Sequence, residues 1–143
     1  MLDVARDHAR RHGVPDDPGP APAPDARMPA VGTTASRTFV VTSDDTAAAM
    51  GHPDAGMAVL ASPRLALWFE LVSGDTLPAP GDTTSHVGSG ILLHHLGPAR
   101  VGDTVEVRVE VATVAGRTVG LTCDARVGDD LVGTGSHQRV LLA

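Results

Sequence analysis

The run LASPRLALWFELVSG, residues 60–74, carries a single carboxylate, Glu70, among Leu67, Trp68, Phe69, Leu71 and Val72. An unpaired carboxylate in such surroundings is costly or takes up a proton, so Glu70 requires a cationic or hydrogen-bonding partner. On this stretch alone two readings stand side by side: a local pair on a wet edge, or an acid held in place for chemistry. The adjacent His94 and His95 raise the question of a metal, but neighbours on a strand point to opposite faces and do not easily hold one ion, so no metal site is expected. Ser62 suits a helix N-cap, and LASPR lacks the GxSxG pattern of a serine-hydrolase elbow. Gly88, Ser89 and Gly90 form too short a glycine pattern for a phosphate loop, and close backbone packing explains them equally well. His137, in GTGSHQRV, fits a structural residue better than a catalyst. Cys123 falls on the inward phase of an alternating strand and is expected to be a small core residue.

These side chains need elements to position them. Ser62 as N-cap, Pro63 in the first turn and Gly74 as a left-handed terminator predict a helix over about 63–73. Apolar residues cover most of its circumference, which predicts a helix wrapped by other structure. Downstream, TVEVRVEVATV places Val105, Val107, Val109 and Val111 on one face, and TVGLTCDARV places Val119, Leu121, Cys123, Ala125 and Val127 likewise. A hairpin centred on Gly116 then sets Arg108 opposite Asp124, Glu106 opposite Arg126 and Val109 opposite Cys123. A turn at Gly128, Asp129 and Asp130 leads into a last strand whose Gly133 and Gly135 predict a bulge or a close backbone approach. Upstream, a first strand is expected around Thr38–Thr42, an alanine-rich helical turn ending at Gly51, and a loop over 52–61. Residues 1–30 hold much proline and few large apolar side chains, which predicts a flexible arm preceding a domain at 31–143. One antiparallel sheet curled around one buried central helix, an α+β arrangement, leaves edges that a homodimer would cover.

Composition narrows the function classes. The chain has 143 residues, a net charge of −6, one tryptophan, two phenylalanines and no tyrosine. Without a basic run or interleaved aromatics, nucleic acid is not an expected partner. No apolar run approaches the roughly 18 residues of a membrane span. The lone cysteine and the lack of an apolar signal segment suggest the cytoplasm.

The segments VLASPRLALWFE, GSGILLHHLGPARVGDTVEVRVEV and GRTVGLTCDARVGDDLVGTGSHQRVLL resemble the hot-dog fold thioesterases, in the branch that contains fluoroacetyl-CoA thioesterase. Several features agree in order and spacing: a hydroxyl residue at the helix start, an acid eight residues later, a glycine seven residues before a histidine, then HLxPxxVG and a terminal GxGxHxR. The resemblance implies a hot-dog fold and a catalytic set of Ser62, Glu70 and His95, with serine where the family has threonine. Glu70 would serve as base or nucleophile, His95 would exchange protons with it, and Ser62 would position water or thioester. Gly88, Ser89, Gly90, Arg100 and His137 would contact substrate; Arg100, Arg64 and Arg139 are candidates for coenzyme A phosphates, beside the plainer reading of each as a solvated surface residue. The fluoroacetate enzyme carries aromatic gating residues before its helix. HPDAGMAVLA here has none, which argues against fluoroacetyl-CoA itself.

The implied activity is hydrolysis of a short or compact acyl-CoA or acyl-carrier-protein thioester, with no cofactor beyond the coenzyme A of the substrate. A non-catalytic module that binds acyl thioesters is the alternative, although a scaffold has little reason to bury an acid. A lyase or dehydratase on the same fold would place its histidine and acid in a different segment.

Overall fold

Valine at every second position from 105 to 111 buries completely, and the opposite phase of the same strand is solvated. That strand and its neighbour, with Val119, Leu121, Cys123 and Ala125 buried, form the centre of the molecule. The computed structural model describes residues 19–52, 54–79 and 85–142. Among these residues the α-helix is α1 (Ser62–Gly74), and the strands are β1 (Thr34–Val40), β2 (Ser85–His95), β3 (Thr104–Ala115), β4 (Thr118–Val127) and β5 (Asp130–Leu142). All pair antiparallel in one sheet of order β1-β3-β4-β5-β2.

The expected hairpin register is the observed one. Arg108 faces Asp124, Glu106 faces Arg126 and Val109 faces Cys123, with Gly116 in the turn at a φ of 56°. A bulge between Val111 and Thr113 then curls the sheet. The close approach expected at the two glycines of β5 is also present. A Cβ at Gly135 would collide with the Leu92 carbonyl, and one at Gly133 would stand 2.6 Å from Leu65 Cδ2 of the helix.

Helix α1 lies across the sheet, burying Leu65, Trp68, Phe69 and Val72, and Trp68 stacks on Phe39 of β1 with ring centroids 4.5 Å apart. Each such side chain taken fully out of water contributes about 1.5–3 kcal/mol, so this face fixes the helix. The opposite face is left open, with Leu67 38% and Leu71 43% exposed.

Several local expectations shift. Pairing with β3 from Thr34↔Glu110 to Val40↔Thr104 moves β1 earlier than 38–42. A 3-10 turn at Ser43–Asp45 comes first, and the alanine-rich stretch then makes the expected helical turn, the Met50 N–H donating to the Thr46 carbonyl (3.2 Å), which ends at Gly51 with a φ of 108°. Gly74 is the last helical residue and does not adopt positive φ; Asp75 caps the helix in right-handed geometry. Within the expected arm, residues 1–18 lie outside the described residues, as do 80–84 of the connection after α1. Of the described part, the Asp25 N–H donates to the Gly116 carbonyl (2.8 Å), the Gly116 N–H donates to the Pro22 carbonyl (3.2 Å), and Met28 packs against the core.

Candidate functional site

Ser62 opens α1 as its first helical residue, and the N-cap is Ala61, so the serine hydroxyl makes no cap bond. It is therefore available to a tertiary partner. The chain reaches it pinned on two sides: the Leu60 N–H donates to Ala99 O (2.7 Å) and the Ala61 N–H to Asp45 O (2.9 Å). His95 ends β2 opposite Gly133, and the following Leu96 N–H donates to Val132 O (2.8 Å). The result is a hydrogen bond between Ser62 Oγ and His95 Nδ1 of 2.8 Å. His95 Nε2 is buried with no hydrogen-bond partner among the described residues. Burial lowers the His95 pKa below its ordinary value, opposed by the nearby Gly97 backbone, which favours a ring proton. Ser62 and His95 lie in the wall of a cavity of about 550 Å³ shared with Met50, Met57, Val59 and Leu60.

Glu70 stands at the other end of the helix segment. Eight residues at 1.5 Å each place it roughly 12 Å along the axis from Ser62. No hydrogen bond or ion pair joins it to Ser62 or His95 among the described residues. Its partner is Arg139, with Nη1 3.8 Å from Glu70 Oε1, and it shares a cavity of about 370 Å³ with Gly88, Gly90, Ile91 and His137. Gly88 makes this possible, since a Cβ there would collide with Glu70 Oε1 and stand 3.0 Å from His137 Cε1. At Gly88–Gly90 the β2–β5 register shifts around Ser89, whose hydroxyl donates to Gln138 O (3.3 Å).

Arg139 is itself buried and anchored. Its Nε donates to His86 Nδ1 (3.0 Å), and its Nη1 lies 3.1 Å from His137 Nε2 and donates to the Glu70 carbonyl at 3.4 Å. Burial lowers the pKa of His86 and of His137, and the Arg139 charge lowers both further; the Glu70 charge and the Gly90 backbone oppose this at His137. Both imidazoles are thus held neutral around one guanidinium. His137 Nδ1, buried, has no hydrogen-bond partner among the described residues.

The remaining arginines fall elsewhere. Arg139 is turned inward and offers nothing to a solvent-borne phosphate. Arg64 is engaged by Asp45, Nε to Oδ1 3.1 Å. Arg100 is exposed and shares its cavity with Asp103, Asp129 and Asp130, carboxylates that compete with an anionic ligand for it. Sequence reasoning overlooked His86 and misread Arg139. The signal was present in the strand phase: residues 137, 139 and 141 alternate inward on β5, and an arginine in that phase must have a buried partner.

Against known proteins, residues 41–143 match the family model of fluoroacetyl-CoA-specific thioesterase, FlK. No curated protein sequence matches the chain. Among solved structures, fluoroacetyl-CoA thioesterase superposes with a TM-score of 0.70 at 24% identity, covering 79% of this chain and 87% of that one. A hot-dog-like protein from Thermanaerovibrio acidaminovorans gives 0.72 at 24% identity, covering 80% and 84%. A thioesterase superfamily member from Thermus thermophilus gives 0.71 at 25% identity, covering 81% and 85%.

Proposed function

Because the chain belongs to the fluoroacetyl-CoA-specific thioesterase family, we propose that it hydrolyses an acyl-CoA thioester with Ser62, His95 and Glu70, the acid coming from the second subunit of a homodimer. The observation that carries this reading is the Ser62 Oγ–His95 Nδ1 hydrogen bond opening onto the larger cavity. An acyl-CoA substrate is supported by solved complexes of fluoroacetyl-CoA thioesterase variants, one with acetyl-CoA and one with fluoroacetate and CoA.

The edge strand supports the dimer. Among the described residues β2 has a neighbour on one side only, yet exposes Ile91 (47%) and Leu92 (57%). An unpaired apolar edge of this length invites pairing with another strand. If two copies of β2 pair antiparallel about a two-fold axis between Ile91 and Leu92, residue 88 of one chain lies opposite residue 95 of the other. The Glu70 pocket beside Gly88 then faces the Ser62–His95 pair of the partner, closing the gap that a single chain leaves open.

In that site Glu70 takes the proton of an attacking water as its oxygen bonds to the carbonyl carbon; attacking directly, it would instead form an acyl anhydride as the C–S bond breaks, which water then hydrolyses, supplying the proton for the thiolate. Ser62, held by His95, orients the thioester. Backbone N–H groups freed by the Gly88–Gly90 bulge meet the developing oxyanion. Collapse breaks the C–S bond, and the proton passes through His95 to the leaving thiolate.

Mixing subunits tests both the chemistry and the sharing. Glu70→Gln and His95→Ala are each expected to lower thiol release from an acyl-CoA by about 10³-fold. Heterodimers formed by unfolding and refolding the two together contain one site with both residues intact, restoring roughly a quarter of wild-type activity. No recovery despite heterodimer formation would place both residues in one chain's site. No release by the wild type would favour the binding-module alternative.

A further inference from the structure

The cavity beside Ser62 and His95 is far larger than a two-carbon acyl group requires. At about 550 Å³ it falls within the range of complete small-molecule sites. Its walls away from Ser62 are Ala47, Met50, Met57, Val59, Leu60 and Leu96, with His52 as the one further imidazole. Among the described residues, no carboxylate, guanidinium, phenyl or indole group lines it. The nearest arginine in sequence, Arg64, is held by Asp45, so it does not supply a cation to the cavity.

Resting on the thioesterase reading above, we propose that this cavity takes the acyl chain, and that the substrates are neutral, saturated acyl thioesters of about four to eight carbons. Three observations point the same way. The apolar lining rewards each methylene removed from water. A terminal carboxylate, as in a succinyl group, would be desolvated with no cation to receive it. Met50 and Met57, unbranched side chains both 38% exposed, can adjust to chains of different length and branching. An acetyl or fluoroacetyl group would leave most of the space unfilled.

The test is kcat/KM for thiol release from acetyl-, fluoroacetyl-, butanoyl-, hexanoyl- and succinyl-CoA. Burial at about 0.8 kcal/mol per methylene corresponds to about fourfold per CH₂, so hexanoyl-CoA should exceed acetyl-CoA by on the order of a hundredfold, with succinyl-CoA well below butanoyl-CoA. Met57→Trp, which fills part of the cavity, should lower the hexanoyl-to-acetyl ratio. Turnover that is flat with length, or highest for fluoroacetyl- or succinyl-CoA, overturns the inference and leaves the thioesterase standing. A second measurement separates the two when nothing turns over. With the methionine methyls labelled with carbon-13, the chain shows four signals, from Met1, Met28, Met50 and Met57. Hexyl-CoA, a thioether that cannot be hydrolysed, should shift those of Met50 and Met57 and leave Met28 in place. Such shifts without turnover would uphold the acyl cavity and reject catalysis; no shift would reject the cavity.

Discussion

At the residue scale, the Glu70 carboxylate occupies the volume that any side chain at Gly88 would fill, while buried Arg139 holds the Glu70 main-chain carbonyl from behind. Gly88→Ala should therefore displace the acid with little cost to the fold. Because a misplacement of about 1 Å can cost 10²-fold in rate, kcat should fall by about that factor, and circular dichroism melting should show a change of about 1 kcal/mol or less. His95 supplies a pH signature. Its pKa lies below the ordinary imidazole value, chiefly through burial, so the ring is neutral and fit to accept a proton at pH 7. A pH–rate profile should be flat from neutral upward through pH 8 and should fall on acidification with a midpoint below about 6.5. The acid was legible because a carboxylate among Trp68, Phe69, Leu71 and Val72 requires an explanation. The serine's partner was not, since an N-cap serine and a tertiary-bonded serine look alike until the approach of β2 is known.

At the element scale, alternation and charge fixed the β3–β4 pairing from sequence, because a one-residue slip would have buried Glu106, Arg108 and Glu110. The extent of β1 and the short 3-10 turn at Ser43–Asp45 that precedes the alanine-rich turn escaped, as they depend on pairing and local side-chain bonds that leave no periodic trace. Gly135 carries a prediction of its own. Its Cα lies against the backbone of β2, where the Leu92 carbonyl cannot rotate away as a side chain can. Gly135→Ala should destabilise the protein by about 3 kcal/mol, read as a lower urea midpoint, with dissociation of β2 from β5 seen as faster amide exchange at residues 91–95.

At the scale of the whole molecule, the open face of α1 and the outer edge of β2 lie where a second copy would cover both. Ile91→Arg should yield a folded monomer by analytical ultracentrifugation, with activity lost at concentrations where the wild type is dimeric. Acid should also weaken the fold. His86, His95 and His137 are held below their unfolded pKa, so the unfolded chain binds protons first as pH falls. Their contribution is intact above about pH 6.5 and declines below it. Asp25, drawn down to about 2 by hydrogen bonds from Arg27, adds in the same sense at more acid pH. Melting temperatures measured at pH 8, 6.5 and 5 should therefore fall in that order. The pairing of His86 and His137 around Arg139 cannot be read from a linear pattern, because it depends on β2 lying beside β5 in the sheet.

The notch at Gly88 also bears on how such proteins diverge. A lineage that keeps the acid at position 70 has almost no freedom at position 88, whereas one that loses the acid gains room there for alanine, serine or larger residues. Positions 70 and 88 should thus change together among descendants, and a side chain at 88 would mark a chain that has given up hydrolysis and kept only the shape.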